Sequence, residues 1–343
     1  MKKLLSILPF AAAILALFAC GPSKPVLRIC VWSDYIEPEA ISAFEKKFDC
    51  RVIVDTFPDN EMLYSKMKMG GAKYDLLMPS SYMASLMNGQ NMLMKLDHSK
   101  LPNAVNVDKK YLEEKAVDKK MEYSAPYMVC YGCMAYDTEK ASDLEESWKL
   151  LGDPAFKKRT CVLSDIRELI GAALKANGYS LNSTNDAELA KARETLLVWR
   201  DNAAKFDSEA YKPGIVTGEF TVVQGYSGDL LQVAEEKKTI KVILPKEGMS
   251  ISVDDWVIPT NAENPDLAHA FINYMMDPEV AIQNMNYAKY DAANSKAREI
   301  MPDEMKSQIF FNIPQDILDK SEVIQNLGED ISKYNTLWDE LKL

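Results

Sequence analysis

Four short segments of the chain each contain aromatic side chains, carboxylates or both. These segments are residues 32–35, 79–82, 164–168 and 226–229. A carboxylate can neutralise an ammonium group, and an aromatic face attracts a cation that has lost its water. Each segment directly follows an apolar, strand-like run or begins a helix. Together they indicate a site for a small cationic ligand at the carboxyl ends of strands.

Each segment also has a structural interpretation. Asp165 and Glu168 have the spacing of a capping box, in which side chains satisfy the free N–H groups of a helix start. Trp32 and Tyr82 could be core aromatics. Ligand binding is favoured over these alternatives only because the four segments share one position, at the crevice between a strand and the following helix.

Enzyme motifs are nearly absent. No glycine-rich phosphate motif follows a strand, so we expect no nucleotide cofactor. Residues 225–229 resemble a nucleophile elbow, but Asp229 replaces its last glycine. The chain has 2 histidines, His98 and His269. We therefore expect no enzyme, no metal site and no cofactor.

Cys130 and Cys133 have the C-x-x-C spacing of redox and zinc sites. They lie in an apolar, strand-like run, and no second Cys or His pair accompanies them. Two buried cysteines on a strand are the favoured interpretation.

The composition is that of a soluble globular protein. The 343 residues suggest about two domains. The formal net charge is −11, which argues against nucleic acid or an anionic membrane surface as a partner.

Strand-like and helix-like segments alternate, which predicts an α/β fold with mostly parallel sheets. The segments expected to be strands are 27–31, 51–54, 74–78, 160–163, 221–224, 240–244 and 251–258. Those expected to be helices are 37–48, 61–69, 166–174 and 187–206, followed by a mostly helical tail beyond Pro265.

The first residues have the pattern of an export signal. Lys2 and Lys3 precede an apolar run that is short for a membrane span. The run ends in Ala19 and Cys20, and this junction is similar to a bacterial lipoprotein signal. We expect residues 1–19 to be removed and Cys20 to carry lipid; an ordinary signal peptide is the alternative.

The chain resembles the polyamine-binding proteins of bacterial spermidine/putrescine ABC importers over nearly all of its mature length. The similarity is carried, in order, by residues 31–38, 74–82, 165–168, 245–248, 254–259, 290–294 and 325–326. It implies a two-lobed, type II periplasmic-binding-protein fold in which each lobe is a mainly parallel sheet flanked by helices, with hinge crossovers. One lobe would comprise 26–130 and 255–298, and the other 134–252 and 300–343.

The resemblance also implies a ligand site between the lobes. An aromatic box would surround the methylene chain, carboxylates would neutralise the ammonium groups, and other side chains would add polar contacts. The box would be Trp32, Tyr35, Tyr226 and Tyr290; the carboxylates Asp34, Asp165, Glu168 and Asp254; and the polar contacts Ser33, Ser80, Tyr82 and Gln325.

The expected function is therefore polyamine capture in the periplasm, by a lipoprotein anchored through Cys20, for delivery to an ABC permease. Ser252 stands where spermidine-preferring relatives have an aromatic residue, which favours putrescine over spermidine unless Trp256 or Tyr226 fills the gap. Alternatives are another small cationic ligand, a sensory or interaction lipoprotein without transport, and an exported enzyme on a related fold.

Overall fold

The computed structural model describes residues 24–342. The expected signal peptide, 1–19, and Cys20 lie outside the described residues. The strands are β1 (Val26–Val31), β2 (Arg51–Thr56), β3 (Leu76–Leu77), β4 (Ala125–Asp137), β5 (Thr160–Val162), β6 (Ala203–Phe206), β7 (Val222–Tyr226), β8 (Ile240–Ile243), β9 (Ser250–Trp256), β10 (Asp291–Ala292) and β11 (Glu322–Val323).

Helices separate most of these strands. They are α1 (Pro38–Phe48), α2 (Asn60–Lys68), α3 (Ser81–Gly89), α4 (Lys109–Glu114), α5 (Ile166–Ala176), α6 (Asp186–Asn202), α7 (Tyr211–Thr217), α8 (Ser227–Glu236), α9 (Pro265–Met275), α10 (Pro278–Ala288), α11 (Ser295–Ile300), α12 (Asp303–Lys306), α13 (Gln315–Leu318) and α14 (Ile331–Lys342). Short 3₁₀ helices occupy His98–Lys100, Pro102–Asn106, Trp148–Gly152, Pro154–Phe156, Ile309–Phe311 and Gly328–Asp330. None of the helices within 24–342 is both long enough and apolar enough to cross a membrane.

Strands β2, β1 and β3 form a parallel sheet in that order. Its β3 edge is joined to the end of β9 by an antiparallel bridge between Leu77 and Val257. A second bridge joins Ser80 to Asp254. These two bridges bring the loop after β3 against β9, where Asp254 lies.

Strand β4 is the longest strand, and all 13 of its residues are buried. It pairs antiparallel with β9 and β10 in its first part, and with β7 and β8 in its second. On the far side of β7, strands β5 and β6 continue the sheet in parallel. Strand β4 therefore connects the side of the molecule that contains β9 to the side that contains β5.

Large apolar side chains pack on both sides of the molecule. One cluster surrounds β1 and includes Phe44, Trp256 and Phe271. Another lies around α5 and α6 and includes Trp148 and Trp199. Each of these five side chains is at most 2% exposed, so each cluster excludes water from the elements that it joins.

The expected alternation of strands and helices is confirmed, with one correction. The helix expected over 187–206 ends at Asn202, and Ala203–Phe206 form β6. Strand β6 pairs with β5 at the edge of the sheet. Pairing with a neighbouring strand overrides the helical pattern of these four residues.

The favoured interpretation of Cys130 and Cys133 is also confirmed. Both lie on β4 and are buried, and neither forms a disulfide. Burial raises the pKa of both thiols well above the ordinary value, which disfavours the thiolate that redox and zinc chemistry need.

Candidate ligand-binding site

A cavity of about 670 Å³, including its mouth, lies where the ends of β1, β5 and β7 meet β9. Ten of the twelve expected binding residues line it. They are Trp32, Ser33, Tyr35, Ser80, Tyr82, Asp165, Glu168, Tyr226, Asp254 and Tyr290. Asp34 and Gln325 are not among the lining residues. The structure thus brings together side chains that are up to 258 residues apart in the chain, from Trp32 to Tyr290.

The ends of secondary-structure elements position these side chains. Trp32 directly follows β1, Ser80 precedes α3, and Asp165 precedes α5. Tyr226 is the last residue of β7, while Asp254 lies within β9. Most of the site is therefore built at the carboxyl ends of strands, as in other open α/β sheets.

Asp254 is buried and held by two hydroxyl groups. The Tyr35 hydroxyl donates to Oδ2 at 2.5 Å, and the Ser80 hydroxyl donates to Oδ1 at 2.8 Å. The Asn60 amide fixes Ser80 by donating to its Oγ at 3.2 Å. Burial raises the pKa of Asp254 to about 6, even though the hydrogen bonds from Tyr35 and Ser80 oppose the rise.

Asp165 caps helix α5. Its Oδ1 accepts hydrogen bonds from the backbone N–H groups of Arg167 at 2.9 Å and Glu168 at 3.0 Å. The Tyr226 hydroxyl lies 3.4 Å from Oδ2. The capping interpretation of Asp165 is thus correct, and the same carboxylate also lines the cavity. Burial raises its pKa.

Glu168 does not complete a reciprocal capping box. Its Oε2 instead accepts a hydrogen bond of 2.5 Å from the Ser250 hydroxyl on β9. Burial and the neighbouring charge of Asp165 raise the pKa of Glu168 to about 8. Gly132 of β4 lies directly beneath it, where a methyl group would overlap with the Glu168 carboxylate and the Ser250 hydroxyl.

Glu61, in the first turn of α2, is a further carboxylate near this group that the sequence did not single out. The Tyr82 hydroxyl lies 3.4 Å from its Oε1. Burial and the charge of Asp165 raise the pKa of Glu61 to about 7. An acidic residue in the first turn of a helix is typical of helix-dipole stabilisation. The position of Glu61 in the sequence therefore gave no separate indication of a ligand site.

We call Glu61, Asp165, Glu168 and Asp254 the acidic cluster. Among the ion pairs formed within residues 24–342, none involves a member of this cluster. The guanidinium of Arg167 is turned to the Gln325 carbonyl, at 2.6 Å, and to the side chain of Asn182. Buried carboxylates without cationic partners are costly, and their raised pKa values express that cost.

Aromatic rings form the apolar part of the lining. The Tyr35 and Tyr290 ring centroids are 4.9 Å apart, and Trp32 packs on Phe57 at 4.3 Å. Tyr226 adds a further ring to the same lining. The indole N–H of Trp32 is buried without a hydrogen-bond partner in the described part of the chain. Rings beside carboxylates suit a ligand with both apolar and cationic parts.

Ser252 lines the cavity beside these rings. Trp256 does not, because it is fully buried against Tyr127 and Phe271 at centroid distances of 5.2 and 5.4 Å. Of Trp256 and Tyr226, only Tyr226 lines the cavity.

The two expected binding residues outside the lining have other contacts. Asp34 has a left-handed backbone, with φ +54°, and its Oδ2 lies 3.1 Å from the ammonium group of Lys212. Gln325 is exposed, and its neighbour Ile324 lines the cavity instead. The backbone carbonyl of Gln325 accepts the hydrogen bond from Arg167.

Several lining residues were not among the twelve expected binding residues, although Ser252 had been singled out for the choice of polyamine. They are Pro58, Asn60, Cys130, Ser208, Glu209, Lys212, Asp229, Ser252 and Ile324. Asp229 belongs to one of the four segments that the sequence singled out, so its segment carried a signal. No sequence signal pointed to Lys212, because its position depends on how α7 packs against the loop after β1.

The other motifs show no catalytic arrangement. The Ser227 hydroxyl accepts a hydrogen bond from the backbone N–H of Tyr131 at 3.1 Å. His269 accepts one from the backbone N–H of Asp97, and His98 contacts the Met121 carbonyl. Within 24–342, no group of three or more His, Cys, Asp or Glu side chains could hold a metal ion.

An α/β architecture with a cavity at the strand ends, lined by side chains from distant parts of the chain, fits a solute-binding protein. The chain belongs to the bacterial extracellular solute-binding protein family, whose sequence profile matches residues 39–311. This membership places it outside the cytoplasm. Solved structures similar to this chain are periplasmic solute-binding proteins of the two-lobe type, which confirms the expected fold class.

The relatives share nearly the whole chain. A spermidine/putrescine-binding periplasmic protein 1 from Haemophilus influenzae is 31% identical over 94% of this chain and 91% of its own. A putrescine/cadaverine-binding protein from Pseudomonas aeruginosa is 28% identical over 100% of this chain and 99% of its own. The solved structure of a candidate spermidine/putrescine ABC transporter from Listeria monocytogenes has a TM-score of 0.87 and 36% identity, covering 93% and 99% of the two chains.

Proposed function

We propose that the protein captures linear polyamines outside the cytoplasm and delivers them to an ABC permease, without chemical turnover. The observation that carries this proposal is the acidic cluster: Asp165, Glu168 and Asp254 are buried beside aromatic rings in the cavity, and no member of the cluster has an ion-pair partner within 24–342. The names of the relatives support the same ligand class.

A polyamine supplies what this cavity lacks. Each ammonium group would pair with a carboxylate, which removes the cost of a buried, unpaired charge. The methylene chain would contact the rings of Trp32, Tyr35, Tyr226 and Tyr290, at about 0.8 kcal/mol per buried CH₂ group. Asp165, Glu168 and Asp254 would hold the ammonium groups, while Ser33, Ser80 and Tyr82 add polar contacts. Gln325 remains an expected contact of the bound state, whereas Asp34 is already paired with Lys212.

Capture would join two lobes around the ligand. We assign 26–130 and 255–298 to one lobe, and 134–252 and 300–343 to the other. Trp32 then lies near the boundary on one side, Asp165 and Tyr226 lie on the other, and Asp254 lies on β9 in the crossover between the two ranges. The ligand would contact both, so binding would favour the closed form that a permease could recognise.

Putrescine is the proposed preferred polyamine. Ser252 faces the cavity and leaves one wall without a ring, while Trp256 is committed to the core. A longer ligand therefore gains less contact in its middle than it would against a full aromatic box. One relative is named for putrescine and cadaverine, which supports a short diamine.

A lipid anchor on Cys20 is proposed from the sequence alone. The run that ends in Ala19 and Cys20 is typical of a lipoprotein signal. Radiolabelled palmitate should be incorporated by the full chain and not by the Cys20→Ser variant. Equal labelling of both would contradict the anchor.

The mass of the ligand that co-purifies with the protein tests the proposed function. Native mass spectrometry, followed by release under denaturing conditions, should show putrescine or spermidine. An amino acid or a sugar in the released fraction would contradict the proposal. Release of a different small amine would support a cation site but contradict polyamine binding. Conversion of an added polyamine to a product of different mass would show that the protein is an enzyme.

A further inference from the structure

Lys212 is the one lysine among the residues that line the cavity. Its ammonium group lies 3.1 Å from Oδ2 of Asp34, 3.4 Å from Oδ1 of Asp229 and 3.2 Å from the Gln232 side-chain oxygen. Its side chain is 19% exposed. Asp34 follows β1, whereas Lys212 and Asp229 belong to α7 and α8. The ammonium group therefore joins elements from opposite sides of the cleft.

The surroundings keep Lys212 charged. Burial alone would lower its pKa, but Asp229 and Asp34 outweigh burial and raise the pKa above the ordinary value. Asp229 is itself held by the Tyr211 hydroxyl at 2.5 Å. Glu209, also in the lining, lies near the same group, and its pKa is raised by burial and by Asp229. This end of the cavity thus contains an ammonium ion that the protein supplies.

The two ends of the cavity differ in charge compensation. The acidic cluster at one end forms no ion pair within 24–342, and the nearby charge of Arg167 only opposes the rise in the pKa values of Asp165 and Glu168. Asp34 and Asp229 at the other end share Lys212. A ligand ammonium group that approached Asp34 would have to displace Lys212 or lie beside a like charge. Two ammonium groups that shared Asp34 would repel each other, and solvent would screen part of the repulsion because the Asp34 side chain is 58% exposed.

We propose that Lys212 takes the place of a ligand ammonium group at Asp34 and so makes the cavity selective for diamines over triamines. The proposal rests on polyamine binding as the proposed function. It accounts for the position of Asp34, which was expected to contact the ligand and instead contacts a lysine. A diamine spans the acidic cluster alone, whereas the third ammonium group of spermidine meets Lys212.

The test is a competition titration of putrescine against spermidine on the wild-type protein and on the Lys212→Ala variant. Removing the ammonium group should raise the affinity for spermidine relative to putrescine by about tenfold. Adding Asp34→Asn to Lys212→Ala should cancel the gain, because the third ammonium group then has no carboxylate to pair with. Circular dichroism melts check that each variant is folded.

Lys237→Ala is the matched control. Lys237 follows the last residue of α8, forms an ion pair of 2.7 Å with Asp137 and is 24% exposed, but it does not line the cavity. Its removal should leave the affinity ratio within about twofold of wild type.

Three results would overturn the proposal. The first is an unchanged ratio of spermidine to putrescine affinity in Lys212→Ala. The second is equal weakening of both ligands, which is expected if Lys212 only holds the cleft closed. The third is a gain in spermidine affinity that persists in the double variant. A wild-type protein that binds neither polyamine would instead reject the proposed function.

Discussion

The Tyr35 hydroxyl donates a hydrogen bond of 2.5 Å to Asp254, a residue 219 positions further along the chain. This contact joins the loop after β1 to the middle of β9 and aims a buried carboxylate into the cavity. Asp254 has no ion-pair partner within 24–342, whereas Asp229 has Lys212. The two aspartates therefore differ in how much they need a ligand cation.

We predict that Asp254→Asn weakens putrescine binding more than Asp229→Asn does. Losing one partner of a buried, hydrogen-bonded charge pair typically costs about 2–5 kcal/mol. Asp229 already contacts Lys212 and the Tyr211 hydroxyl, so its loss should cost less. Isothermal titration calorimetry of both variants measures the difference, and equal affinities would remove the assignment of Asp254.

Binding should release protons and strengthen as pH rises from about 6 to 8. Burial raises the pKa of Asp254 to about 6, of Glu61 to about 7 and of Glu168 to about 8. In the free protein these carboxyls are partly protonated in that range, but an ammonium ligand binds the ionised form and lowers each pKa. Affinity is therefore lost as pH falls through the window.

Calorimetry in phosphate and in Tris at pH 7 measures this release, because the two buffers differ in ionisation enthalpy. The observed enthalpy should depend on the buffer for wild type and less so for Glu168→Gln. An enthalpy independent of buffer, with constant affinity from pH 6 to 8, would show that the carboxyls are already ionised in the free protein.

We predict that Gly132→Ala weakens polyamine binding. A methyl group there would overlap with the carboxylate of Glu168 and the hydroxyl of Ser250, and overpacking of this kind costs about 1–3 kcal/mol. Gly71→Ala is the control, since a methyl group at Gly71 meets nothing within 4 Å. Unaltered affinity of Gly132→Ala, in a folded protein, would argue that the position of Glu168 is unimportant for the ligand.

Ser252→Trp should move the preference toward spermidine. The new ring would complete the wall beside Tyr35 and Tyr226, adding cation–π attraction of about 0.5–2 kcal/mol to a longer ligand. Ser252→Leu adds apolar bulk without a ring and should shift the ratio less. The ratio of affinities is read from competition titrations, and if Ser252→Trp leaves it unchanged in a folded protein, Ser252 is not the cause of the preference.

Much of the site could be predicted because its residues follow strands in short, local patterns. Trp32, Ser80 and Asp165 each follow a short apolar run, which is consistent with a buried strand when turn residues bound it. Lys212 could not be predicted, since its contact with Asp34 spans 178 residues and depends on tertiary packing. The same holds for β6, whose strand conformation comes from pairing with β5. Local patterns therefore located Asp165 and Glu168, whereas Asp254 was expected only from the family resemblance and Lys212 was not expected.

The most direct test of the central claim is a calorimetric titration of ligand-free protein with putrescine, 1-aminobutane, 1,4-butanediol and glutamate. The claim is that buried carboxylates hold both ammonium groups of a diamine. Putrescine should bind, 1-aminobutane should bind more weakly by about 2 kcal/mol or more, and butanediol and glutamate should give no heat. Binding of glutamate, or of butanediol as tightly as putrescine, would contradict the account.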